Sequence, residues 1–184
     1  MRAFIAIEVS AEVRAAVGAL AAELENRVPK VRWIPSASLH ITLRFLGTTD
    51  DKTLRALVDE LGAMVATCAP FRLEFRGIGF FPSPRRASVM SALISEPPRE
   101  LNTLYRSVES TVGRHGFPPE RRPFTPHLTF ARLRASSPAL LAIQAELENR
   151  VLGHAPVDEV FVFESVLKPS GAVYRAWARL PLGG

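Results

Sequence analysis

Residues 2–8 alternate around β-branched and aromatic side chains, the period of a strand. Past Ser10 the period changes. Val13, Val17, Leu20 and Leu24 step by four, three and four, which predicts a helix capped by the Ser10 hydroxyl. Residues 38–46 return to a strand pattern. Leu54, Leu57, Val58, Leu61, Met64 and Val65 then make one continuous stripe, the mark of a second helix. Residues 71–81 and 86–94 read as strands, with Gly77 and Gly79 signalling a bulge or a close backbone approach. Pro98 stands where a first helical residue would, ahead of a face made by Leu101, Leu104, Tyr105, Val108 and Val112. Residues 124–133 predict a strand. Ser137-Pro138 opens a helix carrying Leu140, Leu141, Gln144 and Leu147. Residues 157–167 and 172–180 predict two last strands around the hairpin-type loop Lys168-Pro169-Ser170-Gly171.

This order contains a repeat. His40-Ile41-Thr42-Leu43 and His127-Leu128-Thr129-Phe130 lie 87 residues apart. The same offset carries each strand and helix of the first half onto an element of the same type in the second. The chain is therefore expected to be one domain over residues 1–184, of α+β class. It would be built from two duplicated βαβαβ-like lobes, about 1–84 and 85–184, with strand exchange between them as an option. Each helix pair would cover one face of its own sheet, and a pseudo-twofold axis would bring the two motifs into one cleft.

Composition narrows the function. Apolar residues make up 47% of the 184 and charged residues 22%, enough apolar surface to form a folded domain. Cys68 is the only cysteine, so an intramolecular disulfide and a thiolate zinc site are both excluded. No stretch approaches the ~20 apolar residues of a membrane helix, and Glu8 interrupts the N-terminal apolar run short of a signal-peptide core. A cytoplasmic protein is expected. The net charge is +5, and only Lys30, Lys52 and Lys168 among the 23 basic residues are not arginine. A guanidinium offers phosphate a planar fork of donors, so the bias suits an anionic ligand, although a GC-rich coding sequence gives the same bias.

Residues two apart on a strand share a face, so each motif presents an imidazole and a hydroxyl together. One imidazole can be neutral and accept a proton while the other is charged and donates one. Two threonine hydroxyls can hold the nonbridging oxygens of a phosphate between them. Neither motif contains Asp, Glu or Cys, which leaves too few ligands for a metal site. No serine stands in a nucleophile context. His115, at a helix end, and His154, read as lying in a turn, are assigned to structure.

The residues around the motifs are more specific. Val31-Arg32-Trp33-Ile34-Pro35 followed by Leu39-His40-Ile41-Thr42-Leu43-Arg44-Phe45-Leu46-Gly47 resembles the first motif of the two-histidine (2H) phosphoesterase superfamily. Thr125-Pro126-His127-Leu128-Thr129-Phe130-Ala131-Arg132 resembles its second. Arg2-Ala3-Phe4-Ile5-Ala6-Ile7, Ser165-Val166-Leu167 and Gly171-Ala172-Val173-Tyr174 are similar to the RNA 2′,3′-cyclic phosphodiesterase branch, also called 2′-5′ RNA ligases. The resemblance implies antiparallel-rich sheets lining a central cleft, with helices outside. It implies hydrolysis of an RNA terminal 2′,3′-cyclic phosphate to a 2′-phosphate without metal or other cofactor, and reversible 2′-5′ ligation. His40 would be the proton donor and His127 the proton acceptor, with Thr42 and Thr129 on the phosphate. Phe4 would be a base-stacking platform and Arg132 a phosphate contact. From alternation alone, Arg132 points away from the cleft and needs a bulge to reach it. The implied partners are cyclic-phosphate RNA ends, tRNA fragments among them, for a monomer that binds no membrane. Activity on small cyclic nucleotides and a non-catalytic nucleotide-binding domain remain as alternatives. The loop pairs Arg85-Arg86 and Arg121-Arg122 could guide an RNA strand, or simply be solvated.

Overall fold

The computed structural model describes residues 1–169 and 171–183. The elements in chain order are β1 (Arg2–Glu8), α1 (Ala11–Leu24), β2 (Val31–Trp33), β3 (His40–Thr48), α2 (Asp51–Val65), β4 (Phe71–Phe81), β5 (Val89–Ser95), α3 (Arg99–Arg114), β6 (His127–Leu133), α4 (Ala139–Glu146), β7 (Val151–Val157), β8 (Glu159–Lys168) and β9 (Gly171–Pro181). Single 3₁₀ turns at Ser36–Ser38 and Pro84–Arg86 precede β3 and β5. Ser170, in the expected last hairpin loop, lies outside the described residues.

Every strand pair is antiparallel, in two sheets ordered β3-β1-β8-β9 and β2-β6-β5-β4-β7. The α+β class and the duplication hold, but the sheets do not divide the chain near residue 84. The third strand of each half crosses over: β8 pairs with β1, and β4 pairs with β5. The result is symmetric, with β3-β1-β8 in one sheet answered by β6-β5-β4 in the other. Helices follow the same exchange, correcting the expectation that each pair covers its own sheet. α1 packs on β7 and α4 on β4, whereas α3 packs on β3 and α2 on β9 and α3.

The helix ends are set locally. The Ser10 hydroxyl accepts from the Val13 amide at 3.2 Å and donates to the His154 carbonyl at 2.7 Å, so one side chain caps α1 and ties it to β7. Asp50 caps α2 by accepting from the Thr53 amide at 2.9 Å. The predicted stripes face inward: Val13, Val17, Leu20 and Leu24 on α1, and Leu54, Leu57, Leu61 and Val65 on α2, are all buried. Pro98 sits just before α3, at its cap, rather than as its first residue.

β1 is buried on both faces. Ala3, Ile5 and Ile7 join the main core under the helices, while Phe4 and Ala6 join Phe161 and Phe163 in a small cluster on the opposite face of the sheet. Gly77 has φ +71°, and a Cβ there would lie 2.7 Å from the Glu148 carbonyl oxygen, so the bulge and close approach expected in β4 are both present. β2 and β7 are strands the sequence pattern did not predict. Gly153 and Pro156 read as breakers in β7, yet β7 is an edge strand, where a missing proline N–H costs no ladder bond. His154 is accordingly in a strand and not in a turn, with Nε2 3.1 Å from Glu74 Oε2. His115 ends α3 with Nε2 2.7 Å from Glu60 Oε2. Among the described residues no helix is long and apolar enough to cross a membrane.

Candidate active site

The two motif strands meet where the sheets meet. β3 is the edge of one sheet, and β6 is covered on its outer side only by the short β2, which pairs with Ala131–Leu133 and leaves the His127–Thr129 end free. Residues of β3 and β6 come within 8 Å, Cα to Cα.

Each motif carries the same irregularity. In β3, Thr42 faces Ala6 and Arg44 faces Ile5, so Leu43 is an extra residue. In β6, Thr129 faces Ser91 and Ala131 faces Met90, so Phe130 is the extra one. Such a bulge reverses the alternation beyond it. Arg132 is opposite Val89, two residues from Ser91, and therefore on the same side as Thr129. The bulge that Arg132 needs is present, and it puts position 132 on the face of His127 and Thr129. The matching position in β3 is Phe45, whose ring is 66% exposed.

The histidines are held identically. His40 Nδ1 lies 2.8 Å from the Ser38 carbonyl oxygen, and His127 Nδ1 lies 2.6 Å from that of Thr125. A carbonyl can only accept, so Nδ1 carries a proton in both rings. Each neutral ring then has its lone pair on Nε2, and each protonated ring has a donor there. The Ser36–Ser38 turn beneath His40 is held by Arg14, whose guanidinium donates to the Ser36 and Val9 carbonyls. Burial pushes the His40 pKa below its ordinary 6.5; the Ser38 carbonyl opposes this, and the Arg14 charge adds to it.

An aromatic ring supports each imidazole. Phe4 lies 4.8 Å from His40, centroid to centroid, and Phe81 lies 4.8 Å from His127. Tyr174 meets His40 edge-on at 5.1 Å. These contacts change the reading of Phe4. It is 3% exposed, packed among His40, Phe45, Phe163 and Tyr174, and presents no open face to a base. Its place is beneath the imidazole. Trp33 stacks on Phe130 at 6.3 Å as a packing residue.

Two residues of this site were not singled out from the sequence. Phe81 gave no signal beyond an apolar strand end. Ser91, whose hydroxyl is 3.1 Å from that of Thr129, was visible as a polar residue amid Val89-Met90 and Ala92-Leu93. The Arg85-Arg86 and Arg121-Arg122 pairs are exposed in loops or turns. Among the described residues no three of His, Cys, Asp and Glu gather into a metal-holding group.

Two exchanged antiparallel sheets that meet along paired His-x-Thr strands define a two-histidine phosphoesterase. The profile of the 2′-5′ RNA ligase superfamily matches residues 8–168, and the chain belongs to that superfamily. A Methanothermobacter thermautotrophicus protein named RNA 2′,3′-cyclic phosphodiesterase is 31% identical over 176 residues, covering 95% of each chain. A Thermus thermophilus protein of the same name is 34% identical over 192 residues, covering 100% of this chain and 91% of its own. Among solved structures, Escherichia coli LigT complexed with 3′-AMP superposes with a TM-score of 0.81 at 26% identity, covering 98% of this chain and 97% of LigT.

Proposed function

We propose that this chain hydrolyses the 2′,3′-cyclic phosphate at an RNA end to a 2′-phosphate, with the reacting protons carried by His40 and His127. The observation that carries the reading is the matched pair of imidazoles, each with Nδ1 committed to a carbonyl two residues back and Nε2 left for chemistry. Water attacks phosphorus as His127 Nε2 takes its proton, and the P–O3′ bond breaks as His40 Nε2–H protonates the departing oxygen. Thr42, Thr129 and Arg132 contact the nonbridging oxygens, whose charge they stabilise. With a ribose 5′-hydroxyl in place of water, His127 takes the hydroxyl proton and His40 again protonates the departing 3′ oxygen, which gives a 2′-5′ linkage. In the reverse sense, attack of the 3′ oxygen on that linkage to re-form the cyclic phosphate and release the 5′-hydroxyl, the two histidines exchange roles. The names of the relatives support the substrate class.

The test is an oligoribonucleotide ending in a 2′,3′-cyclic phosphate, incubated in excess EDTA. Hydrolysis is expected to persist and to give the 2′-phosphate alone, identified by ³¹P NMR. Loss of activity in EDTA with recovery on adding a divalent ion, or a 3′-phosphate product, would sink this mechanism.

The shift at His40 has a kinetic sign. Burial favours the neutral ring, so its proton is lost at a lower pH than that of a free imidazole. Its imidazolium is a stronger acid but is less populated at neutral pH. Loss of the His40 proton at a lower pH shortens the alkaline side of its working range, so the kcat/KM optimum moves to the acid side, and a bound phosphate anion draws the His40 pKa back up. NMR titration of the His40 ring in the free protein is expected to give a midpoint below 6.5 that rises with 2′-AMP bound. A midpoint at or above 6.5 in the free protein contradicts this.

A further inference from the structure

The two threonines are equivalent in the motif but not in their surroundings. Across the sheet from Thr42 stands Ala6, which has no polar side-chain atom. Across from Thr129 stands Ser91, with 3.1 Å between the two hydroxyl oxygens. Ser91 is 0% exposed, whereas Thr129 is half-buried and lies on the open end of β6. A hydroxyl has a single proton, and one shut away from water must give it to a protein acceptor. Among the described residues the Thr129 oxygen is the hydroxyl partner recorded for Ser91. If Thr129 donated to Ser91 instead, the Ser91 proton would be buried without an acceptor. Either hydroxyl could donate by geometry alone, and the burial of Ser91 argues for one direction: Ser91 donates to Thr129, and the proton of Thr129 is turned outward.

We infer that Ser91 is a positioning residue that orients the Thr129 hydroxyl as a donor to a phosphate oxygen, and that Thr42 has no such partner among the described residues. The inference rests on the phosphate-binding role given to Thr129 above. Its consequence is a division between the motifs. Thr129 is a pre-set donor, polarised by the hydroxyl behind it, while the Thr42 rotor must be ordered by the substrate. A pre-set donor loses less rotational freedom on binding.

A double-mutant cycle tests this with 2′-AMP as the probe, its Kd read by calorimetry, so that no turnover is required. Ser91→Ala is expected to weaken 2′-AMP about fivefold, the worth of one neutral hydrogen bond. In a Thr129→Ala background the same change should alter Kd by less than about twofold, because the hydroxyl it orients is gone. In a Thr42→Ala background the full fivefold loss should remain. Ser91→Cys, which fills the site but donates weakly, should fall between wild type and Ser91→Ala. Equal losses in all three backgrounds would mean that Ser91 acts through general packing and would overturn the inference, as would no measurable binding of 2′-AMP to the wild type. If the cycle shows the coupling while the wild type leaves cyclic-phosphate RNA untouched, the hydrolytic reading fails and the role of Ser91 stands.

Discussion

Replacing His127 with Ala is expected to lower kcat/KM on cyclic-phosphate RNA by about a thousandfold, within the usual range for a general base in the transition state. The loss should persist on every phosphodiester, because water always needs its proton removed. His40→Ala should lose a similar factor on RNA, where the 3′ oxygen is a poor leaving group, but little on an aryl phosphodiester such as bis(4-nitrophenyl) phosphate. A nitrophenolate departs without protonation, so the acid has nothing to do. The two variants are therefore separated by a change of leaving group rather than by the size of either loss. Equal losses on both substrates would remove the division of labour. Both variants keep the bulges that shape β3 and β6, and circular dichroism should report a native fold. Phe4 and Phe81 lose a ring contact in the respective variants, which affects packing but not the comparison between substrates.

The sequence made the elements legible because their burial is periodic: the inward stripes of α1 and α2 are those read from residue spacing alone. It also showed the two motifs, since His and Thr two apart on a strand share a face whatever the sheet around them. The strand exchange was not legible. β4 alternates apolar and charged residues over Phe71–Arg76 before a buried run from Gly77 to Phe80, and β8 is buried throughout Val160–Phe163. Either pattern suits a strand of either sheet, so nothing local says which sheet they join. The reach of Arg132 depended on the bulge at Phe130, and its only trace is two consecutive buried residues, Phe130 and Ala131, where alternation expects one. The bulge at Leu43 leaves no such trace in the sequence, because the second buried residue there is Arg44, which reads as polar. Phe4 shows the opposite failure. An aromatic ring beside a catalytic histidine is read equally well as a platform or as a support, and only its burial decides.

Arg44 carries the largest expected effect on stability. It stands on β3 just after the bulge, 6% exposed, and its guanidinium donates to Glu109 Oε2 on α3 at 3.0 Å and to the Pro118 carbonyl. The same Glu109 oxygen accepts from the Glu120 amide at 3.3 Å. One residue of the first motif strand thus anchors the segment that runs on to Thr125, whose carbonyl holds His127. Arg44→Met leaves the Glu109 carboxylate without its cation and is expected to cost about 3 kcal/mol, as breaking a buried pair does. For a chain of this length that is a fall in Tm of roughly 6–12 °C. The pair is imperfectly satisfied, since Arg44 Nε and Glu109 Oε1 are buried without hydrogen-bond partners among the described residues. Replacing both ends, Arg44→Met with Glu109→Leu, should therefore return stability to within about 1 kcal/mol of the wild type, because the desolvation penalty disappears with the charges. Urea unfolding of the single and double variants checks both numbers, and a double variant no more stable than the single one would contradict the argument. Activity should part from stability in the double variant. With the core repaired but the Pro118 carbonyl released, the Thr125–His127 segment loses its anchor to β3, and kcat should stay below the wild-type value at temperatures where both proteins are folded.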